Sequence, residues 1–179
     1  VRTLEDLVTV AAEANVEPQG DGEFAAQDTD IAQLLYTSGT TSAPKGAIMT
    51  HRALLHHYIS CITALDVEAA DVFVHALPLY HSAQMHVFLL PALAQGARSI
   101  IVPGPVPDQL FDLFETRGIT SLFAAPTVWV AIANHPEFAT RDLTSLRKGY
   151  YGASIMPGPV LARLQEALPG MGFYNAFGQ

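Results

Sequence analysis

From Asp71 to Tyr174 the chain alternates between short apolar runs and stretches of helical periodicity, and this alternation restricts the fold more than any other feature. Val72 to Leu77, Ser99 to Val102, Ser121 to Ala124, Gly149 to Tyr151 and Gly172 to Tyr174 read as strands. Between them helices are expected near Ser82 to Gln95, Asp108 to Arg117, Thr127 to Asn134 and Pro159 to Leu168. In the second helix Leu110, Leu113 and Phe114 share a face and Gly118 supplies a C-terminal stop; in the last, Leu161, Leu164 and Leu168 share a face with Gly170 just beyond. Pro91 removes a ladder hydrogen bond from the first and should kink or split it. Repeated β-α units with nearly continuous apolar strands predict an α/β fold, a mainly parallel sheet flanked by helices and joined by right-handed crossovers.

Upstream, Thr3 and Asp6 form a capping pair before Leu4, Leu7, Val8 and Ala11 at helical spacing, so the chain is expected to open with a helix. An aperiodic linker, Glu17 to Asp30, leads to a strand from Ile31 to Tyr36, and a further helix starts near Thr50 with Leu54, Tyr58, Cys61 and Leu65 on one face. Ligands of open parallel sheets bind beyond the carboxyl ends of strands. Four segments are read at such ends: the loop after Tyr36, Pro78 to Ser82, Gly152-Ala153-Ser154, and Asn175 to Gln179. Their common edge is the expected rim of an active site.

The loop after Tyr36, Thr37-Ser38-Gly39-Thr40-Thr41-Ser42-Ala43-Pro44-Lys45-Gly46, combines hydroxyls, glycines and a lysine. Small residues let the backbone approach an anion, N–H groups and hydroxyls donate to its oxygens, and the lysine adds positive charge, so polyphosphate is the expected ligand. It is not a Walker loop, because Lys45 precedes the second glycine and Ala47 follows it. An ordinary Ser/Thr-rich turn is the bland alternative.

This run resembles the phosphate-binding signature of the adenylate-forming (AMP-binding) enzymes, which include acyl-CoA synthetases, peptide-synthetase adenylation domains and firefly luciferase. The other segments match the family in order and spacing from Asp30 to Gln179. By that resemblance Thr37, Ser38, Gly39, Thr40, Thr41 and Lys45 hold the phosphates of ATP, with Thr41 at magnesium. Ser42 stands where many members have glycine. Leu77 to Ser82 is similar to the motif that lines and gates the acyl site, which implies His81 facing the carboxylate or the thiol path and Tyr80, Gln84 and Met85 nearby. Gly152, Ala153 and Ser154 resemble the loop against adenine. Asn175, Ala176, Phe177, Gly178 and Gln179 resemble the start of the aromatic-Gly-x-Thr-Glu motif, with Phe177 where tyrosine is more usual. Tyr150 and Tyr151 precede the adenine-like loop, so either lines the acyl pocket or packs in the core.

The resemblance implies an ATP-dependent acid–thiol ligase that makes acyl-AMP and passes the acyl group to coenzyme A. Apolar pocket-side residues favour a fatty acid, as in bacterial fatty acyl-CoA synthetases. Residues 1–179 are expected to be the central fragment of the N-terminal domain, inactive alone, since the Thr-Glu and the C-terminal catalytic-lysine domain do not follow Gln179. An aryl-CoA ligase stays open. An amino-acid adenylation domain needs a pocket aspartate, and no acidic residue occurs from Leu77 to Val106 or from Gly149 to Leu164. An inactive nucleotide-binding or scaffold fragment is the reading from another class.

Composition narrows the partners. The 179 residues carry 17 acidic against 9 basic side chains, net charge -8, without a basic cluster, which disfavours nucleic acid or an anionic membrane. The longest apolar stretch, Val87 to Ala94, falls far short of the roughly 20 residues of a membrane span. The single cysteine, Cys61, cannot form an internal disulfide and points to a reducing, cytoplasmic location; helical spacing among apolar neighbours makes it a buried structural thiol. Trp129, Phe111, Phe114 and Phe123 are expected in the core. His51, His56, His57, His75, His86 and His135 are given no chemistry, and their spacing makes no metal site.

Overall fold

A computed structural model describes residues 26–36 and 45–177, together with the backbone of Thr37. The expected opening helix, residues 38–44 of the loop, Gly178 and Gln179 lie outside the described residues.

Five parallel strands form the main sheet: β3 (Val72–His75), β4 (Arg98–Ile101), β5 (Ser121–Phe123), β6 (Lys148–Gly152) and β7 (Gly172–Ala176), in the order β4-β3-β5-β6-β7. Alternation of side chains along the strands feeds two cores. Val74 and Leu122 point to one face, where Leu110, Phe114, Trp129 and Leu164 cover them. Those residues come from helices α3 (Pro107–Arg117), α4 (Pro126–Asn134) and α5 (Gly158–Ala167). Phe73, Phe123 and Tyr150 point to the other face and pack with Phe88, Ala92 and Ile62. Here the cover is α1 (His51–Ala64), α2 (Leu90–Gln95) and the π-helical segment Ala83–Leu89. Burying both faces explains why the strands read as continuous apolar runs.

Local chemistry sets the helix ends. The Thr50 hydroxyl accepts from the Ala53 N–H at 3.2 Å and caps α1. Gly118 ends α3 at φ 61, a conformation open to glycine. Pro91 sits in the first turn of α2, and the chain before it winds as a π-helix. The expected split is therefore present, since proline cannot donate to the preceding turn.

The N-terminal edge of the sheet is locked by charge. Asp71 accepts from Lys148 Nζ at 3.0 Å and from Thr120 Oγ1 at 3.1 Å, and both charged groups are buried. Burial pulls the Lys148 pKa down, but Asp71, Asp66 and Glu68 outweigh that and leave it raised. The opposite, carboxyl edge is left for binding.

One expectation is corrected. Ile31–Thr37 (β1) pairs antiparallel with Lys45–Thr50 (β2) in a separate two-stranded sheet, with Thr37 opposite Lys45. The hydroxyl-rich loop therefore joins the strands of a hairpin; it does not follow a strand of the parallel sheet. Lys45-Gly46-Ala47 reads as the end of a loop, and only Ile48 and Met49 suggest a strand, too short a run to reveal one without its partner.

Candidate active site

Neighbouring strands bring two of the expected segments together. β6 and β7 pair as far as Gly152 opposite Ala176, so the residues after each strand emerge side by side. Between them opens a cavity of about 420 Å³ lined by Tyr151, Ala153, Ser154, Ile155, Asn175 and Phe177, among others. Tyr151, Ile155 and Phe177 give it flat or apolar walls; Ser154 and Asn175 supply polar groups. That combination suits a planar heterocycle.

A second cavity, about 280 Å³, lies under the carboxyl ends of β3, β5 and β6. Its wall is mostly apolar, with Leu77, Ala83, Phe123 and Ala125, and carries His81, Ser82 and Gln84 as its polar side chains. No acidic side chain lines it. Ala153 borders both cavities. Its φ of 65 is left-handed, a conformation that costs a side-chain-bearing residue roughly 1–2 kcal/mol, and it turns the chain between the two spaces.

The sequence-selected residues fall as follows. Ala153, Ser154, Asn175, Ala176, Phe177 and Tyr151 line the larger cavity. Gly152, His81 and Gln84 line the smaller one. Tyr80 is 78% exposed, packs against the His81 ring with centroids 4.7 Å apart, and lines neither cavity; Met85 also lines neither. Lys45 opens β2 opposite Thr37 at the base of the loop. Ser38, Gly39, Thr40, Thr41, Gly178 and Gln179 lie outside the described residues. Tyr150 is a core residue whose hydroxyl donates to the Leu65 carbonyl at 2.8 Å, and burial pushes its pKa up.

Two histidines set aside in the sequence hold the site in place. His86, at 6% exposure, accepts from the Tyr58 hydroxyl at Nδ1 (2.8 Å) and donates from Nε2 to Gln33 Oε1 (2.5 Å). It thereby ties β1, which leads into the loop, to the segment that carries Gln84. Burial, then the charge of His57, pushes its pKa down. His75 ends β3 and accepts at Nδ1 from Gln84 Nε2 (2.7 Å), while Nε2 donates to Ser99 Oγ (3.1 Å). Burial lowers its pKa to about 4, so the ring stays neutral. Phe123 was expected in the core; it is buried and also forms cavity wall. A polar residue closing an apolar strand was the available signal for His75, and a strand-terminal position was the signal for Phe123.

A family profile described as AMP-binding enzyme matches residues 3–179. The chain belongs to the AMP-binding enzyme family. The chain is 32% identical over 149 residues to a feruloyl-CoA synthase of Amycolatopsis sp, covering 83% of this chain and 30% of the relative. It is 34% identical over 139 residues to a long-chain-fatty-acid–CoA ligase of Thermus thermophilus, covering 74% and 25%. The chain thus spans between a quarter and a third of these relatives. A malonyl-CoA ligase in a ternary product complex with methylmalonyl-CoA and AMP superposes with a TM-score of 0.77 at 30% identity, over 88% of this chain and 34% of that one. ATP-bound MatB from Rhodopseudomonas palustris gives 0.76 at 25% identity, over 86% and 30%.

Proposed function

We propose that this AMP-binding chain is the central part of the large N-terminal domain of an AMP-forming acyl-CoA ligase. The observation that carries this reading is the meeting of two unlike cavities at Ala153, one with flat walls and polar groups and one apolar with a histidine. The first takes the adenosine of ATP and the second the body of a carboxylic acid, so the carboxylate and the α-phosphorus meet beside Ala153. There a carboxylate oxygen attacks phosphorus, the bond between the α- and β-phosphates breaks, and pyrophosphate leaves with the electron pair. In the second step the sulfur of coenzyme A forms a bond to the acyl carbon and AMP departs.

Lys45 and the loop from Thr37 hold the outer phosphates in this reading, and fixed donors there stabilise charge on the departing pyrophosphate. His81 positions the carboxylate and borders the thiol path. Among the described residues no group of three or more His, Cys, Asp or Glu could hold a metal ion. The resemblance to the family places magnesium at Thr41, where it would offset charge on the phosphates.

For the acid, the apolar wall favours a fatty acid. A specific observation supports an aryl acid as the second reading: Phe123 presents a ring to the cavity, and the feruloyl-CoA synthase is among the relatives. The test is to supply the full-length protein with ATP, coenzyme A and a panel of fatty and aryl acids. Thioester and AMP should form in equal amounts with at least one class. Release of ADP, or AMP release that does not depend on the acid, contradicts the reading.

A further inference from the structure

The hairpin of β1 and β2 is a sheet of its own, so strand pairing does not set its position against the five-stranded sheet whose carboxyl edge carries the two cavities. One buried imidazole spans the gap. His86 is 6% exposed and lies in the π-helical segment Ala83–Leu89, whose first residue, Ala83, forms wall of the smaller cavity. Its Nε2 meets Gln33 Oε1 at 2.5 Å on β1, and its Nδ1 meets the Tyr58 hydroxyl at 2.8 Å on α1. An amide oxygen only accepts, so Nε2 carries the ring proton; burial disfavours a second proton, and Nδ1 is left to accept from Tyr58. α1 follows β2 without a break, because Thr50 both ends the strand and caps the helix. The two hydrogen bonds therefore reach both strands of the hairpin, one directly and the other through α1. Each ring nitrogen already has a protein partner, which suits a brace and not a ligand contact.

We propose that His86 is a positioning residue for adenylation, holding the strand that leads into the phosphate loop and the wall of the acid cavity in the relative placement that attack on the α-phosphorus requires. This rests on the reading of the hairpin loop as the phosphate site and of the smaller cavity as the acid site. Each site draws on its own residues and binds its own ligand without the brace. What the brace sets is the separation of the reacting atoms, and a misplacement of about 1 Å can slow a reaction on the order of a hundredfold. Loss of the brace therefore falls on kcat. Gln33 receives it on the hairpin, and Tyr58 keeps the ring in the tautomer that donates to Gln33.

The test is acid-dependent exchange of labelled pyrophosphate into ATP by the full-length protein, with a fatty or aryl acid that the wild type activates. His86→Leu should lower kcat about tenfold or more and change KM for ATP and for the acid little. Gln33→Met removes the acceptor at the other end and should do the same. The double variant should be no slower than the slower single one, since both substitutions break one link. A residue that only fills space behaves otherwise: its loss lowers the melting temperature and leaves kcat per folded molecule unchanged. Unchanged kcat in folded His86→Leu and Gln33→Met overturns the inference, as do losses that add in the double variant. A rise in KM for either substrate as large as the fall in kcat also overturns it, because His86 would then serve binding at one site. Should His86→Leu fail to fold, Gln33→Met, at a half-buried position of the hairpin, decides alone. Absence of exchange by the wild type with every acid overturns the reading of the two sites, and that result is distinct from exchange that the substitutions leave intact.

Discussion

A Cβ at Gly152 would lie 2.2 Å from the carbonyl oxygen of Ala176. Glycine at this position lets β6 and β7 stay in register to their last residues, and that register aligns the two walls of the larger cavity. We predict that Gly152→Ala forces the strands apart, destabilises the fold by about 1–3 kcal/mol as overpacking does, and weakens nucleotide binding about tenfold or more. Thermal melts and nucleotide titrations check this. Unchanged affinity in the folded variant would remove Gly152 from the account of the site.

His81 should separate the substrates. It is exposed and borders the smaller cavity, so if that cavity takes the acid, His81→Ala should leave the melting temperature and MgATP affinity nearly intact while raising KM for the acid about tenfold, the scale of one hydrogen bond to a charged group. Joint loss of ATP binding and stability would instead mark a packing residue.

Lys45 tests the loop. Removing its charge in Lys45→Met should weaken MgATP binding or slow adenylation by about 1–3 kcal/mol, the range of a charge-assisted hydrogen bond. Normal kinetics in a folded variant would mean that the lysine does not serve the phosphates.

Much of the fold was legible because both faces of the parallel sheet are covered, which writes apolar runs into the sequence at β3, β5 and β6. Pro91 announced the break between the π segment and α2. β2 was hidden, since Lys45-Gly46-Ala47 looks like loop and its pairing with β1 is a property of two segments together. The cavity segments were legible as polar ends of strands, but their convergence depends on β6 and β7 being neighbours. His75 and His86 escaped because their partners, Gln84, Ser99, Tyr58 and Gln33, lie up to 53 residues away in sequence.

His75 also predicts a pH dependence. Its folded pKa, about 4, lies below the ordinary 6.5, so between these values the unfolded chain binds a proton that the native ring refuses. Its share of stability is fully present above about pH 6.5 and is lost as pH falls toward 4, amounting to on the order of 3 kcal/mol. Denaturant melts of the wild type and His75→Leu should give a stability difference that is flat above pH 6.5 and changes below it. A difference independent of pH from 4 to 7 would show that the ring is not held neutral.

If adenosine and an acid meet beside Ala153, the full-length protein should exchange labelled pyrophosphate into ATP without coenzyme A. Label should enter ATP only when a carboxylic acid is present, because only attack by the acid makes release of pyrophosphate reversible. A non-hydrolysable acyl-adenylate analogue should stop the exchange at concentrations well below those at which AMP or the acid alone does. Exchange that proceeds without any acid, or no exchange with any fatty or aryl acid, would contradict it.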